Sequence, residues 1–217
     1  MTYEHDTHQP EIFTEDWPGQ YEIFAWMAYL CPIPHVIFLV TTLKENGLAN
    51  AALHGWANFN GEGEDYFVVM PVMRHTHTYQ NIQRTGEFCL NFLSPETIER
   101  CKETIFHNEG EDDEITCAGL THESAASIQP PRVKEGFLKL ECTYEWEKEL
   151  CPGGTNILVC GRVRHIAVDE DFLHADLAHR YGPDRFTIHL MATKDPDTGE
   201  RMRGGIGHIE VSREMEI

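Results

Sequence analysis

The stretch that decides the fold is residues 35–56, HVIFLVTTLKENGLANAALHGW. Its first part, His35 to Thr42, is rich in β-branched residues, which favours a strand. Asn46-Gly47 is a strong signal for a hairpin turn, and the run from Leu48 to Ala57 then resumes as a strand with small side chains. The stretch therefore predicts a β-hairpin.

The rest of the chain continues this β pattern with few helices. One helix is expected over 20–29 and another over 78–85, with Thr78 as a candidate N-cap. Residues 60–65 are rich in glycine and acidic side chains and predict a loop. Strands joined by tight turns indicate an antiparallel barrel rather than alternating βαβ units. Further strands are predicted at 66–73, 87–93, 138–151 and 156–168.

The chain of 217 residues is acidic, with 17 basic and 36 acidic side chains and a formal net charge of −19. This charge repels nucleic-acid phosphates and anionic membrane surfaces, so we expect no nucleic acid and no membrane as partner. Residues 23–43 carry no formal charge and are long enough to span a bilayer, but Pro32 and Pro34 would break such a helix. Two buried elements are the better interpretation.

Seven cysteines occur and none forms a C-x-x-C pair, which disfavours a zinc site built on paired cysteines. Reduced cysteines packed in the core of a cytoplasmic protein fit best, and the first residues contain no secretory signal. His75 and His77 would point the same way on a strand and could share a metal ion, but no third ligand is evident nearby. Two polar histidines at a strand end are favoured, and no metal ligand is assigned.

The predicted hairpin has features that suit a flat, ring-shaped ligand. Its small residues Ala49, Ala51 and Ala52 leave the backbone near the surface, where a ring could hydrogen-bond to it. Trp56 could cover such a ring by stacking. Hydroxyl and amide groups on the two strands come from Thr41, Thr42 and Asn50.

The helix beyond the third strand has features that suit a phosphate. Thr78 and Asn81 lie at its start, where exposed N–H groups bind anions, and Arg74 lies four residues ahead of Thr78 to add positive charge. A hairpin and a capped helix without any ligand remain the alternative on spacing alone.

Four stretches of the chain resemble the flavin reductase-like family, also described as the FMN-binding split barrel family that includes flavoredoxins. They are CPIPHVIFLVTTLKENGLANAALHGW, THTYQNIQRTGEFCLNFLSPE, AGLTHESAASIQPPRVKEGFLKLEC and NILVCGRVRHIAVDEDFL, which run from about residue 28 to 173. The resemblance implies a mainly β fold, a six-stranded antiparallel split barrel of Greek-key character with a few peripheral helices. It also implies a homodimer with FMN bound noncovalently near the subunit interface.

The resemblance carries over to single residues. "VTT" includes Thr41 and Thr42, "NAA" begins at Asn50, and "T-x-x-N-I" contains Thr78 and Asn81. With the residue pattern above, the candidate cofactor-binding set is Thr41, Thr42, Asn50, Ala51, Ala52, Leu53, His54, Gly55, Trp56, Arg74, Thr78 and Asn81.

The chain departs from the family pattern at several positions. Leu53 replaces the proline after "NAA", and Gly55 replaces a hydroxyl residue, which could remove one hydrogen bond to the flavin. Thr76-His77 stands where members often have Lys-Asp, and Ile33 stands where the family's "P-R-P" has arginine. Asn156 stands where many NAD(P)H:flavin reductases have the histidine of "GDH".

From this resemblance we expect an FMN-binding oxidoreductase that uses NADH or NADPH to reduce flavin or passes electrons through bound FMN. The alternatives are a flavoredoxin-type electron carrier with a redox protein partner, or a binding module that holds a flavin without turnover. No catalytic residue is assigned. The expected organisation is an N-terminal arm (1–19), the FMN-binding barrel (20–175) and a C-terminal extension (176–217) packed on the barrel or on the dimer partner.

Overall fold

The computed structural model describes residues 2–215. Its strands are β1 (His35–Leu43), β2 (Ala49–His54), β3 (Asn58–Glu62), β4 (Asp65–Met73), β5 (Glu87–Phe92), β6 (His122–Glu123), β7 (Arg132–Val133), β8 (Leu138–Glu149), β9 (Asn156–Val168), β10 (Thr187–Leu190) and β11 (Gly205–Gly207). Its helices are α1 (Gln20–Ile23), α2 (His77–Thr85), α3 (Pro95–Arg100), α4 (Glu103–Phe106), α5 (Glu114–Cys117), α6 (Glu170–Leu173) and α7 (Leu177–Arg180), with a 3₁₀ turn at Trp26–Tyr29.

The main sheet is antiparallel throughout, which confirms the mainly β fold. Its strands are hydrogen-bonded in the order β2-β1-β5-β8-β9-β4-β3, and β10 and β11 extend it from the first residues of β1. Non-consecutive strands lie side by side, β5 beside β1 and β4 beside β9, as in Greek-key arrangements. The six predicted strands are present, and β3, β10 and β11 bring the sheet to nine.

The sheet is open between β2 and β4, and this opening positions the candidate site. In the described part of the chain, β2 pairs with β1 alone. The strand β3 covers β4 only from Asp65 to Val69, so the end of β4 up to Met73 pairs with β9 alone. The barrel is therefore split where the ends of β2 and β4 face each other.

The core fills the inside of the barrel with the inward-facing residues of each strand. Alternation along the strands sends every second side chain inward, and apolar side chains occupy these positions. Fully buried members include Phe38, Val40, Met70, Phe88, Leu90 and Val159. A second apolar cluster packs α3 and α5 against the outer side of β1 and β2.

Three local predictions are wrong. The helix predicted over 20–29 is interrupted at Phe24, which is extended (φ −120°, ψ 129°), and the side chain of Asn156 binds the Ile23 carbonyl at 2.8 Å. The loop predicted at 60–65 is mostly strand β3 and its turn into β4. Thr78 is not the N-cap of its helix, because the Thr76 hydroxyl accepts the Tyr79 amide and α2 begins at His77.

The strand predicted from Leu48 to Ala57 is shorter in the structure, and the backbone conformation of Trp56 explains why. Trp56 has a positive φ of 54°, which ends the extended conformation just after β2 and allows β3 to begin at Asn58. The C-terminal segment, expected on the barrel or on the dimer partner, joins the sheet through the pairing of His189 with His35. No helix within residues 2–215 is long and apolar enough to cross a membrane.

Candidate functional site

A cavity of about 510 Å³ lies at the split between β2 and β4. This volume is within the range of sites that hold drug-sized ligands. Its walls are mostly apolar and come from the end of β2, the end of β4, the start of β9 and the segment that precedes β1. The lining residues are Ile23, Phe24, Ala25, Ala28, Ala52, Leu53, His54, Gly55, Trp56, Pro71, Met73, Thr76, Thr78, Leu150, Asn156 and Leu158.

The free edge of β2 presents backbone groups to this cavity. The Ala49 amide donates to the Asp113 carboxylate at 3.3 Å, and the Ala51 amide donates to Glu114 at 2.7 Å. Backbone groups alternate in direction along a strand, so the N–H and C=O of Leu53 point to the same edge. Acidic side chains therefore cover this edge of β2 at Ala49 and Ala51. At Leu53, which lines the cavity, the edge is open.

Glu114 fixes this edge from a buried position. Its carboxylate is 2% exposed and lies 2.9 Å from the ammonium of Lys44, which is itself buried. Burial raises the pKa of Glu114, and the Ala51 amide and Lys44 oppose that increase. The Lys44 ammonium also donates to the carbonyls of Glu109 and Asp112. This buried ion pair, together with the hydrogen bond from the Ala51 amide to Glu114, ties the hairpin edge to α5.

Two side-chain hydrogen bonds attach α2 to the hairpin. Asn50 Nδ2 donates to the Thr78 hydroxyl at 3.1 Å, and Asn81 Nδ2 donates to the Thr42 hydroxyl at 3.0 Å. All four side chains are buried. The start of α2 is therefore held at the cavity, and the amides of His77 and Thr78 are first-turn donors that the helix itself does not use.

Aromatic side chains form the outer wall of the cavity. The Trp56 indole is 46% exposed and stacks on the His35 imidazole with a centroid distance of 4.0 Å. Phe24 approaches the same indole from the other segment at 5.8 Å. His35 has no hydrogen-bond partner on its buried Nε2 atom. This wall is aromatic and stacked, which suits the face of a planar ligand.

His54 lines the cavity as a neutral imidazole. Burial lowers its pKa to about 4, although a hydrogen bond to the backbone of Pro71 works in the opposite direction. At neutral pH the side chain therefore carries no charge, and it offers hydrogen-bonding capacity without adding a cation to an apolar site.

A second, more polar cleft of about 320 Å³ adjoins α2. It is lined by His77, Gln80, Asn81 and Arg84 from the helix and by Lys44 from the hairpin, with Glu45 and Glu111 at its border. The Arg84 guanidinium donates to the Leu43 carbonyl. Basic and acidic side chains thus share this cleft on the hairpin side of α2.

The sequence model of the family described as "Flavin reductase like domain" matches residues 30–187. The chain belongs to this family. Three solved structures have the same fold and low sequence identity, so their likeness concerns the fold alone. A candidate flavin reductase with a split barrel domain from Shewanella frigidimarina is 17% identical, with a TM-score of 0.74 over 99% of this chain and 100% of its own.

Two further structures extend this likeness. Nitrilotriacetate monooxygenase component B from Bacillus cereus is 19% identical, with a TM-score of 0.68 over 100% of this chain and 98% of its own. A flavoredoxin from Methanosarcina acetivorans is 17% identical, with a TM-score of 0.65 over 84% of this chain and 88% of its own.

In this flavin reductase-like domain, half of the candidate cofactor-binding residues line the cavity. These are Ala52, Leu53, His54, Gly55, Trp56 and Thr78. Thr42, Asn50 and Ala51 lie behind them in the buried hairpin, and Asn81 borders the polar cleft.

Two of the candidates point away from the cavity. The Thr41 hydroxyl donates to the Pro131 carbonyl at 2.5 Å and accepts from Asn91. The Arg74 guanidinium forms an ion pair with Glu149 at 2.6 Å, and both side chains are partly exposed. Asn156 is absent from the candidate set and departs from the family pattern, but it lines the cavity and its side chain donates to the Ile23 carbonyl.

The histidines that could have shared a metal on one strand do not lie on a strand. His75 is exposed in the turn after β4, and His77 is the first residue of α2. The argument that alternate strand residues point the same way therefore does not apply to them, since the strand ends at Met73.

The prediction of core packing is also wrong for three of the seven cysteines, because Cys31, Cys117 and Cys151 are exposed.

Proposed function

We propose that this protein is an FMN-binding oxidoreductase that takes electrons from NADH or NADPH and either reduces flavin or passes the electrons on. The observation that carries the proposal is the cavity at the split of the barrel, into which β2 presents an open backbone edge. Bound FMN would supply the hydride acceptance and the electron transfer. The protein's own residues bind, orient and shield it.

The apolar part of the cavity fits a flat heteroaromatic ring. The backbone N–H and C=O of Leu53 offer one donor and one acceptor at the ring's edge. Phe24 and Trp56 wall the site and keep water from the ring's face, and Gly55 adds no side chain to the cavity. Neutral His54 completes the site without introducing a charge.

The start of α2 fits the phosphate end of the cofactor. The Thr78 hydroxyl lines the cavity, and the first-turn amides of α2 favour an anion. Arg74 lies in the turn before α2, and its exposed pair with Glu149 is weak enough to be exchanged for a phosphate contact. The site therefore offers polar contacts and an available cation near the helix start.

Electron carriage between proteins is the second candidate, and two observations favour it. Asn156 stands at the position of the reductase histidine, and its amide is engaged with the Ile23 carbonyl. The net charge of −19 also favours a positively charged redox partner at low salt. A carrier of this kind would not need a nicotinamide site.

A homodimer in the cytoplasm completes the proposal. Trp146 and Leu150 at the end of β8 and Ile166 on β9 are exposed apolar side chains that a second subunit could cover. The seven cysteines are free thiols, as a reducing compartment favours. Light scattering should give twice the chain mass of 24.9 kDa, and a value equal to one chain would contradict the dimer.

A visible spectrum of the purified protein tests the main proposal. We expect a yellow protein, or uptake of added FMN at one per chain, and anaerobic bleaching on addition of NADH or NADPH. Bleaching only by a reduced protein partner would favour the electron carrier. Failure to bind FMN at micromolar concentration would overturn both candidates.

A further inference from the structure

A cluster of three metal-ligating side chains lies outside the cavity, where the end of α4, the loop that follows it and the end of α5 come together. The candidate ligand atoms of His107, Asp112 and Cys117 all lie within 4.8 Å of one another. We propose that these three residues form a binding site for a divalent cation of the zinc class. The proposal does not depend on flavin binding.

The ligand set has the chemistry that zinc prefers. Zn²⁺ takes imidazole nitrogen, thiolate sulfur and carboxylate oxygen at about 2.0–2.3 Å, so tetrahedral coordination separates ligand atoms by roughly 3.3–3.8 Å. Side-chain movements of about 1 Å would bring the ligand atoms, now within 4.8 Å of one another, into that range. His107 and Cys117 are exposed, and water would fill the remaining position.

The loop between α4 and α5, which carries Asp112, is already held in place. The buried Lys44 ammonium donates to the carbonyls of Glu109 and Asp112 at 2.7 and 2.8 Å. The Glu109 amide donates to the Asp112 carboxylate, and Asn46 donates to the Gly110 carbonyl at 2.9 Å. Because these contacts order the loop before any metal binds, little backbone entropy is lost on binding.

The charges around the cluster favour a cation. The Glu103 carboxylate lies 3.9 Å from His107 Nε2, and Lys44 does not oppose the metal because Glu114 neutralises it. A bound ion would join the end of α4 to the end of α5. Since α5 begins at Glu114, which binds the Ala51 amide, the ion would also stabilise the edge of β2.

Cobalt binding to the full-length protein tests the site. After treatment with EDTA, Co²⁺ is added without oxygen and the difference spectrum is recorded against the metal-free sample, which cancels any flavin absorption. We expect one Co²⁺ per chain, with a thiolate-to-cobalt charge-transfer band that Zn²⁺ abolishes. Cys117→Ser should abolish the band, and His107→Ala should raise the Zn²⁺ dissociation constant at least tenfold.

Two matched variants control for other thiols. Cys31→Ser and Cys151→Ser remove the other exposed cysteines and should leave the band unchanged. Far-ultraviolet circular dichroism checks that each variant is folded, as expected for exposed positions. The proposal is overturned if the wild-type protein shows no charge-transfer band with Co²⁺, or if the band survives in Cys117→Ser.

Discussion

The imidazole of His35 lies so close to Gly55 that a Cβ atom at position 55 would come 2.4 Å from its Cδ2 atom. The same imidazole supports the Trp56 indole by stacking. The missing side chain at position 55 therefore lets a histidine from β1 fill the space beneath the cavity's aromatic wall. This gives a structural reason for the departure from the family's hydroxyl residue.

Gly55→Ser should destabilise the protein, because the new side chain must displace His35. Overpacking of this kind costs about 1–3 kcal/mol, measured as the free energy of unfolding in urea. The Trp56 stack should loosen as well, which tryptophan fluorescence would report.

A double variant isolates the cause. In a His35→Ala background the same Gly55→Ser change should cost much less, since the clashing ring is absent. An equal cost in both backgrounds would show that the steric relationship is not responsible.

Thr78→Ala combined with Asn81→Ala should weaken FMN binding by several-fold or more. Thr78 lines the cavity and Asn81 borders the adjoining cleft, and both also attach α2 to the hairpin. Because their removal leaves Asn50 and Thr42 without these partners, we also expect a loss of about 1–3 kcal/mol in unfolding free energy per bond. Fluorescence titration and urea unfolding measure the two effects.

The conservative variant Thr78→Ser keeps the hydroxyl and should retain most of the affinity. An unchanged FMN dissociation constant in the double alanine variant would mean that the phosphate is bound elsewhere.

Strand positions could be predicted where one residue pattern dominates. The run from His35 to Thr42 and the Asn46-Gly47 turn fix the hairpin locally, and β1 and β2 form as expected. The strands β10 and β11 could not be predicted, because β10 exists through pairing with β1, which is remote in sequence, and β11 exists only through pairing with β10. The break at Trp56 likewise depends on a tertiary stack with His35.

The candidate site was predictable on the hairpin side only. The run from Ala52 to Trp56 is contiguous, so one motif located five lining residues. Phe24 and Asn156 lie on segments more than a hundred residues apart in the sequence. These two segments meet through the hydrogen bond from the Asn156 side chain to the Ile23 carbonyl. The cluster around Cys117 could not be predicted, because its spacing matches no paired-cysteine motif and its three side chains come together only in the folded protein.

Leu53→Pro restores the proline of the family pattern and should nevertheless weaken FMN binding roughly tenfold in this chain, because the Leu53 N–H is the proposed hydrogen-bond donor to the flavin. The N–H of Leu53 points to the free edge of β2, so proline removes a donor to the ligand without removing a bond of the sheet. We therefore expect the free energy of unfolding to change by less than about 1 kcal/mol.

Leu53→Val is the matched control, since it keeps the N–H and the apolar wall and should bind FMN as the wild type does. If Leu53→Pro binds FMN with unchanged affinity, the open edge of β2 does not donate to the flavin.

Stability should fall in acid because of Glu141. This buried carboxylate accepts hydrogen bonds from the amides of Ala126 and Ser127 and from Arg132. Burial alone would raise its pKa, but these bonds outweigh burial and lower the pKa from 4.5 to about 2. The unfolded chain binds this proton more readily, so the stabilisation is complete above about pH 4.5 and is lost as the pH falls towards 2.

The lowered pKa corresponds to about 3 kcal/mol of unfolding free energy. Urea unfolding measured between pH 6 and pH 3 should show about 2 kcal/mol of this loss in the wild type, because the remainder is lost only as the pH approaches 2. Glu141→Gln should be less stable at pH 6 and should lose less stability on acidification, whereas the exposed Glu62→Gln should keep the wild-type dependence. If the unfolding free energy of Glu141→Gln has the same pH dependence as that of the wild type, other carboxylates cause the acid sensitivity. The charge of Glu141 then does not hold the segment that contains Ala126, Ser127 and Arg132.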